Sequence, residues 1–126
     1  MREAIEEARP SNLPLSAGVR GPGVLYLSGQ VALDPANGRL ISGDVAAQTE
    51  RTLENVRTLL ASVGLSFDDV LRVGVFLTSM ESFGAMNAVY ARSFRAPYPA
   101  RTTVAVRELP LGAAVEIEMT VADRRT

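Results

Sequence analysis

A chain of 126 residues, 47% hydrophobic and 21% charged, can bury one sizeable core and reads as a single domain over 1–126. Its formal net charge of −1, with no run of Lys or Arg before the closing "DRRT", argues against broad electrostatic binding to nucleic acid. No apolar run approaches the ~20 residues that span a bilayer, and His 0 with Cys 0 removes His-based triads, thiolate nucleophiles and the commonest metal ligands.

In chain order, residues 1–13 read as a polar lead-in. "LSAGV" (15–19) and "VLYLSGQVAL" (24–33) flank the turn signal "RGPG", which predicts a hairpin. "DPANG" (34–38) predicts a second turn. "SGDVAAQTERTLENVRTLLASVGLS" is the clearest helix. Ser42 or Asp44 caps its start, Gly64 fits the left-handed position past its end, and Leu53, Val56, Leu60 and Val63 form one apolar stripe. "DDVLRVGVFLT" (68–78) reads as a central strand.

"SMESFGAMNAVYARSFRA" follows as a second helix, capped by Ser79 or Ser82, with a stripe of Phe83, Met86, Val89 or Tyr90, and Phe94. "PYP" ends it, and residues 99–122 read as a closing hairpin. The order β-β-α-β-α-β-β predicts an α+β fold: one mixed sheet with both helices on one face. In "VEIEMTV", Val115, Ile117, Met119 and Val121 point one way and Glu116, Glu118 and Thr120 the other. A chain this short has no third layer for the second face, so that face is either wet or covered by another chain.

The start "MREAIEEARP" is charged and lacks the apolar stretch of a secretory signal. With the lack of Cys, this leads to the expectation of a cytoplasmic protein. No Asp/Glu cluster has the spacing of a calcium loop or a carboxylate helix pair, so no metal is expected.

Four places carry polar groups inside apolar elements. In the predicted closing hairpin, Ala105 or Arg107 falls opposite Glu116, and Arg101 lies about 13 Å further down the strand. One reading pairs Arg107 with Glu116 or Glu118 on a solvated face; the other makes Arg101 and the glutamates a site. Asn87 falls close to the apolar stripe of the second helix, either tying helix to sheet or lining a cleft. Ser28-Gly29 interrupts a strand, as a bulge or as a wall that lets something approach the backbone.

"LYLSGQVALDPANGRL", "QTERTLENVRTLLASVGLSFDDVLRVGVFLTSMESFGAMNAVYARSF" and "PARTTVAVRELPLGAAVEIEMTVA" resemble, in order and spacing, the RidA (YjgF) family of reactive-intermediate deaminases. The resemblance runs from about Pro14 to Ala122, and its most specific piece is the closing "PAR-T-T-V-x-V-x-x-L-P-x-x-x-x-V-E-I-E". It implies a chorismate-mutase-like fold assembled as a homotrimer, with the bare sheet faces inside and sites between subunits. It implies hydrolysis of enamines and imines such as 2-aminoacrylate and 2-iminopropionate to 2-keto acids and ammonia, without cofactor or metal. It places the carboxylate-binding arginine at Arg101, the water-positioning glutamate at Glu116, the cleft asparagine at Asn87 and the strand Ser-Gly at Ser28 and Gly29.

The chain departs from the family pattern at Leu15, where the family carries a tyrosine, and at Thr103, where many members carry a cysteine. These changes bear on substrate identity; a more apolar pocket at Leu15 suits a bulkier imino acid. Two other classes compete with a deaminase. One is a ribonuclease or RNA-binding translation inhibitor. The other is a trimer that binds carboxylate ligands, or acts as a chaperone, without catalysis.

Overall fold

The computed structural model describes residues 2–5 and 12–124. Most of the polar lead-in, residues 6–11, and the end of "DRRT" therefore lie outside the described residues. The architecture is the α+β one expected: a six-stranded mixed sheet in the order β1-β2-β3-β6-β4-β5, with helices α1 and α2 packed on it and on each other.

β1 (Glu3–Ala4) is a strand that the polar lead-in did not announce. It pairs antiparallel with β2 (Gly18–Gly21), and Ile5 just after it is buried in the core. β2 and β3 (Val24–Gln30) form the expected hairpin, with Gly23 at φ 73 in its turn. The pairing of β3 with β6 shifts register between Leu27 and Gln30, so Ser28-Gly29 is a bulge.

α1 (Val45–Ala61) starts on Asp44, whose carboxylate accepts from Ala47 N at 2.9 Å, so Asp44 and not Ser42 is the cap. Gly64, at φ 76, closes its far end while Leu65 N donates to Leu60 O at 2.9 Å. Leu53, Val56 and Leu60 are buried as the stripe predicts. Each contributes about 1.5–3 kcal/mol of burial. A short 3-10 turn over Phe67–Asp69 precedes β4 (Val70–Leu77), so the central strand begins later than residue 68. Another 3-10 turn, Met80–Ser82, capped by Ser79, leads into α2 (Phe83–Ser93).

The closing segment departs from expectation. β5 (Ala100–Ala105) and β6 (Val115–Ala122) are not partners. β4 lies between them, parallel to β5 and antiparallel to β6, so the predicted hairpin does not form. β4 is buried along one face, and a strand on each side satisfies both of its edges. The cross-strand neighbour of Glu116 is accordingly Phe76, not Ala105 or Arg107. Arg107 lies beyond the end of β5, exposed, and no ion pair joins it to Glu116 or Glu118 among the described residues.

Val73, Val75 and Leu77 of β4 and Val115, Ile117, Met119 and Val121 of β6 are buried under the helices. The opposite face carries Tyr26, Arg72, Glu116, Glu118 and Thr120, and among the described residues no element packs over it. Among the described residues, no helix is long and apolar enough to cross a membrane.

Candidate functional site

β5 is an edge strand, and its register fixes where Arg101 points. Arg101 stands beside Val73 and Thr103 beside Val75, so both project to the helix-covered face. There the guanidinium carbon lies 4.6 Å from the Tyr90 ring centroid and 5.6 Å from that of Phe83. Phe83, Asn87 and Tyr90 recur along one side of α2, which makes this a rigid helical floor. A cleft of about 310 Å³ opens over it, lined by Asn87, Tyr90, Ala91, Tyr98, Pro99 and Arg101.

The cleft holds a charge with no opposite charge beside it among the described residues. Arg101 makes no ion pair among the described residues; the Tyr90 and Phe83 rings and the Tyr90 hydroxyl hold it. A guanidinium carries five N–H donors in a planar fork, so donors beyond the one that meets Tyr90 remain for a carboxylate. The Asn87 amide, half-buried at the cleft wall, also has no hydrogen-bond partner there, which favours the cleft reading over a helix-to-sheet tie. Thr103 Oγ1 is buried without a partner on the same side of β5. Tyr90 was legible only as a core residue. Its ring is core, with 6% exposure, but its upper face supports Arg101. Burial raises the Tyr90 phenol pKa, and the Arg101 charge opposes that rise.

The second group of residues lies on the other face of the sheet. Glu116, between buried Val115 and Ile117, projects away from the helices. Its carboxylate lies across Gly29: a Cβ there would run into Glu116 Oε2 and push the carboxylate aside. Gly74 does the same for Glu118, whose Cγ would stand 2.9 Å from an added Cβ. Burial first, and the Glu118 charge second, raise the Glu116 carboxyl above its ordinary pKa.

Ser28 anchors the chain that brings Leu15 near this group. Its Oγ donates to Ser16 O at 2.6 Å and its N donates to Ala17 O at 2.9 Å, with Leu15 exposed just ahead. Within one chain the predicted site residues thus form two groups. Arg101, Asn87 and Thr103 lie on the helix face, while Glu116 and Gly29 meet on the bare face beside Ser28. The sheet lies between Arg101 and Glu116. The described residues hold no group of three or more Asp or Glu side chains that could bind a metal ion.

A family model described as Endoribonuclease L-PSP matches residues 6–123. Protein DfrA of Myxococcus xanthus is 48% identical over 93 residues, covering 74% of this chain and 71% of that protein. The 2-iminobutanoate/2-iminopropanoate deaminase of Mus musculus is 38% identical over 105 residues, covering 83% and 78%. The crystal structure of E. coli TdcF with bound serine matches with a TM-score of 0.87 at 32% identity, covering 96% of this chain and 98% of that one. With a match across nearly its whole length, the chain belongs to the Endoribonuclease L-PSP family, the RidA or YjgF family of the sequence resemblance.

Proposed function

We propose that the protein hydrolyses 2-imino acids and their enamine tautomers to 2-keto acids and ammonia, with Arg101 clamping the carboxylate and Glu116 handling the water. The observation that carries this reading is Arg101, without a carboxylate partner among the described residues, held 4.6 Å over the Tyr90 ring in a cleft that Asn87 also lines. A planar fork with no such partner matches a carboxylate at two points. A relative named as an imine deaminase and another solved with serine bound support the choice of ligand.

The chemistry asks little of the protein. The carbon of a 2-imino acid is electrophilic, and Arg101 fixes its carboxylate in one orientation. Glu116 accepts a proton from water as the water oxygen bonds to that carbon. That proton passes to the nitrogen to give a carbinolamine; Glu116 then moves the hydroxyl proton to the nitrogen as the carbon–nitrogen bond breaks, so ammonia leaves and the carbon keeps its oxygen as a ketone. Neither His nor Cys is required. Asn87, which lines the cleft, contacts the held substrate, and Thr103 lies on the same side of β5 as Arg101.

Because Arg101 and Glu116 lie on opposite sheet faces, one substrate reaches both only at a junction of two copies. The bare face and the open edge of β5 offer the surface for such an assembly. A homotrimer is the expected state, with Glu116, Gly29, Ser28 and Leu15 of one copy facing Arg101 of the next. Sedimentation at micromolar concentration should give a species three times the chain mass; a monomer contradicts the shared site.

A pH profile tests the role of Glu116. Water activation needs the carboxylate ionised, so turnover falls as pH drops through its pKa. That limb should lie above the ordinary carboxylate range, because burial and Glu118 both raise the pKa. Glu118→Gln removes the second cause and should move the limb to lower pH. A limb that stays in place separates Glu118 from the site.

The family's endoribonuclease name supplies the rival reading. An arginine alone in an apolar cleft does not suit a polyanion, which needs many cations along its path. RNA cleavage, or RNA binding that weakens steeply with salt, would favour the rival. Ammonia release from enzymatically generated imino acids favours the deaminase.

A further inference from the structure

We propose that the Arg101 cleft selects monocarboxylic imino acids with branched or aromatic hydrocarbon side chains, and that Ala91 and Tyr98 set this preference. The proposal rests on the deaminase reading and names its substrate class.

The cleft combines one charge with walls of carbon. Of its lining residues only Arg101 is charged, and the surface it exposes is predominantly apolar. The Tyr98 ring is 59% exposed at the lip, and Phe83, 37% exposed, flanks the same guanidinium. Single exposed aromatics are ordinary on a protein surface. Two beside one arginine that makes no ion pair among the described residues form a surface with a charged end and a greasy end. A ligand that holds Arg101 by its carboxylate lays the rest of itself along that surface.

Ala91 makes the room. It lies one residue beyond Tyr90 on α2 and has the smallest side chain of the lining. A longer side chain there would project into the cleft from a fixed helix. In the single chain the groove is about 310 Å³, more than a methyl or ethyl substituent fills. An unfilled apolar wall contributes nothing to holding a small ligand. A second carboxylate on the ligand would find no second cation. The nearby arginines Arg57, Arg92 and Arg95 line a different cleft, where Arg95 is engaged by Asp68 at 2.6 Å. Burying such a charge without a partner is costly.

The 2-keto acid products keep both the carboxylate and the side chain and are stable enough to titrate. Binding of pyruvate, 4-methyl-2-oxopentanoate, phenylpyruvate and 2-oxoglutarate to the assembled protein should rank the two hydrocarbon acids about 10-fold or more above pyruvate, a modest yield for several added carbons. 2-Oxoglutarate should bind no better than pyruvate. In Ala91→Leu and in Tyr98→Ser the ratio of phenylpyruvate to pyruvate affinity should fall towards one. Both positions are exposed, so melting curves should show both variants folded. Pyruvate or 2-oxoglutarate binding best, or an unchanged ratio in both variants, overturns the preference while leaving the deaminase intact. If none of the four acids binds, or if Arg101→Ala binds them like the parent, the preference falls together with the function beneath it.

Discussion

Arg101→Ala is expected to abolish measurable deamination and to weaken 2-keto acid binding by about 10²-fold or more, while fold and assembly survive. Two charge-assisted hydrogen bonds to a carboxylate each contribute about 1.5–3 kcal/mol. The structural cost of the change is small. Arg101 makes no ion pair among the described residues, so truncation orphans no partner charge. What it loses is stacking on Tyr90 and Phe83, about 0.5–1 kcal/mol at a partly exposed site. Arg101→Lys retains the charge but neither the planar fork nor the flat face that rests on Tyr90, so it should also bind weakly. Ligand titration, ammonia release and a melting curve on the three proteins separate the possibilities. A variant that unfolds or dissociates would show that the arginine is structural. One that binds and turns over like the parent would remove it from the site.

Glu116→Gln should slow turnover by about 10²-fold or more, the scale of a positioned acid–base group, with little change in keto acid binding. It should also raise thermal stability at neutral pH. The folded-state pKa of Glu116 lies above its unfolded value, because burial and Glu118 oppose its charge. The folded form therefore holds the proton more tightly than the unfolded form. The penalty is present above the folded pKa and disappears as pH falls below the unfolded one. Glutamine has nearly the same shape and no charge, so it escapes the penalty. Activity and stability should thus move in opposite directions. Gly29→Ala should reach the same loss of turnover by another route, since its Cβ would displace the carboxylate from where it lies across Gly29. Unchanged turnover in Glu116→Gln would make the glutamate a strand-face residue only.

Local signals explain what could be read beforehand. α1 declared itself through the spacing of Leu53, Val56 and Leu60, a capping Asp44 and the left-handed Gly64, all of which act within a few residues of the helix. Strand partnership is a different kind of fact. β5 and β6 are neighbours in sequence, yet β4 stands between them, a choice made across the whole sheet. The sequence did contain a trace of it. Gly29 and Gly74 interrupt otherwise apolar strands, and each is the place where a glutamate of β6 crosses. Read together, they mark β3 and β4 as the two neighbours of β6.

The two-residue strand β1 is too short for any periodicity to reveal. The proposed roles of Arg101, Glu116 and Asn87 come from the family resemblance and not from pattern, since each has an ordinary structural explanation. Their division between two sheet faces could not be read from spacing, because it depends on β5 lying beside β4. Tyr90 escaped notice as part of the site because one ring serves both as core and as the bed of the guanidinium.

The most direct measurement is ammonia and keto acid release from a panel of enzymatically generated 2-imino acids, with the parent and Arg101→Ala assayed side by side. The parent should hydrolyse them faster than buffer alone, and the variant should match buffer. A parent no faster than buffer, or a variant as fast as the parent, would contradict a deaminase that grips its substrate through Arg101.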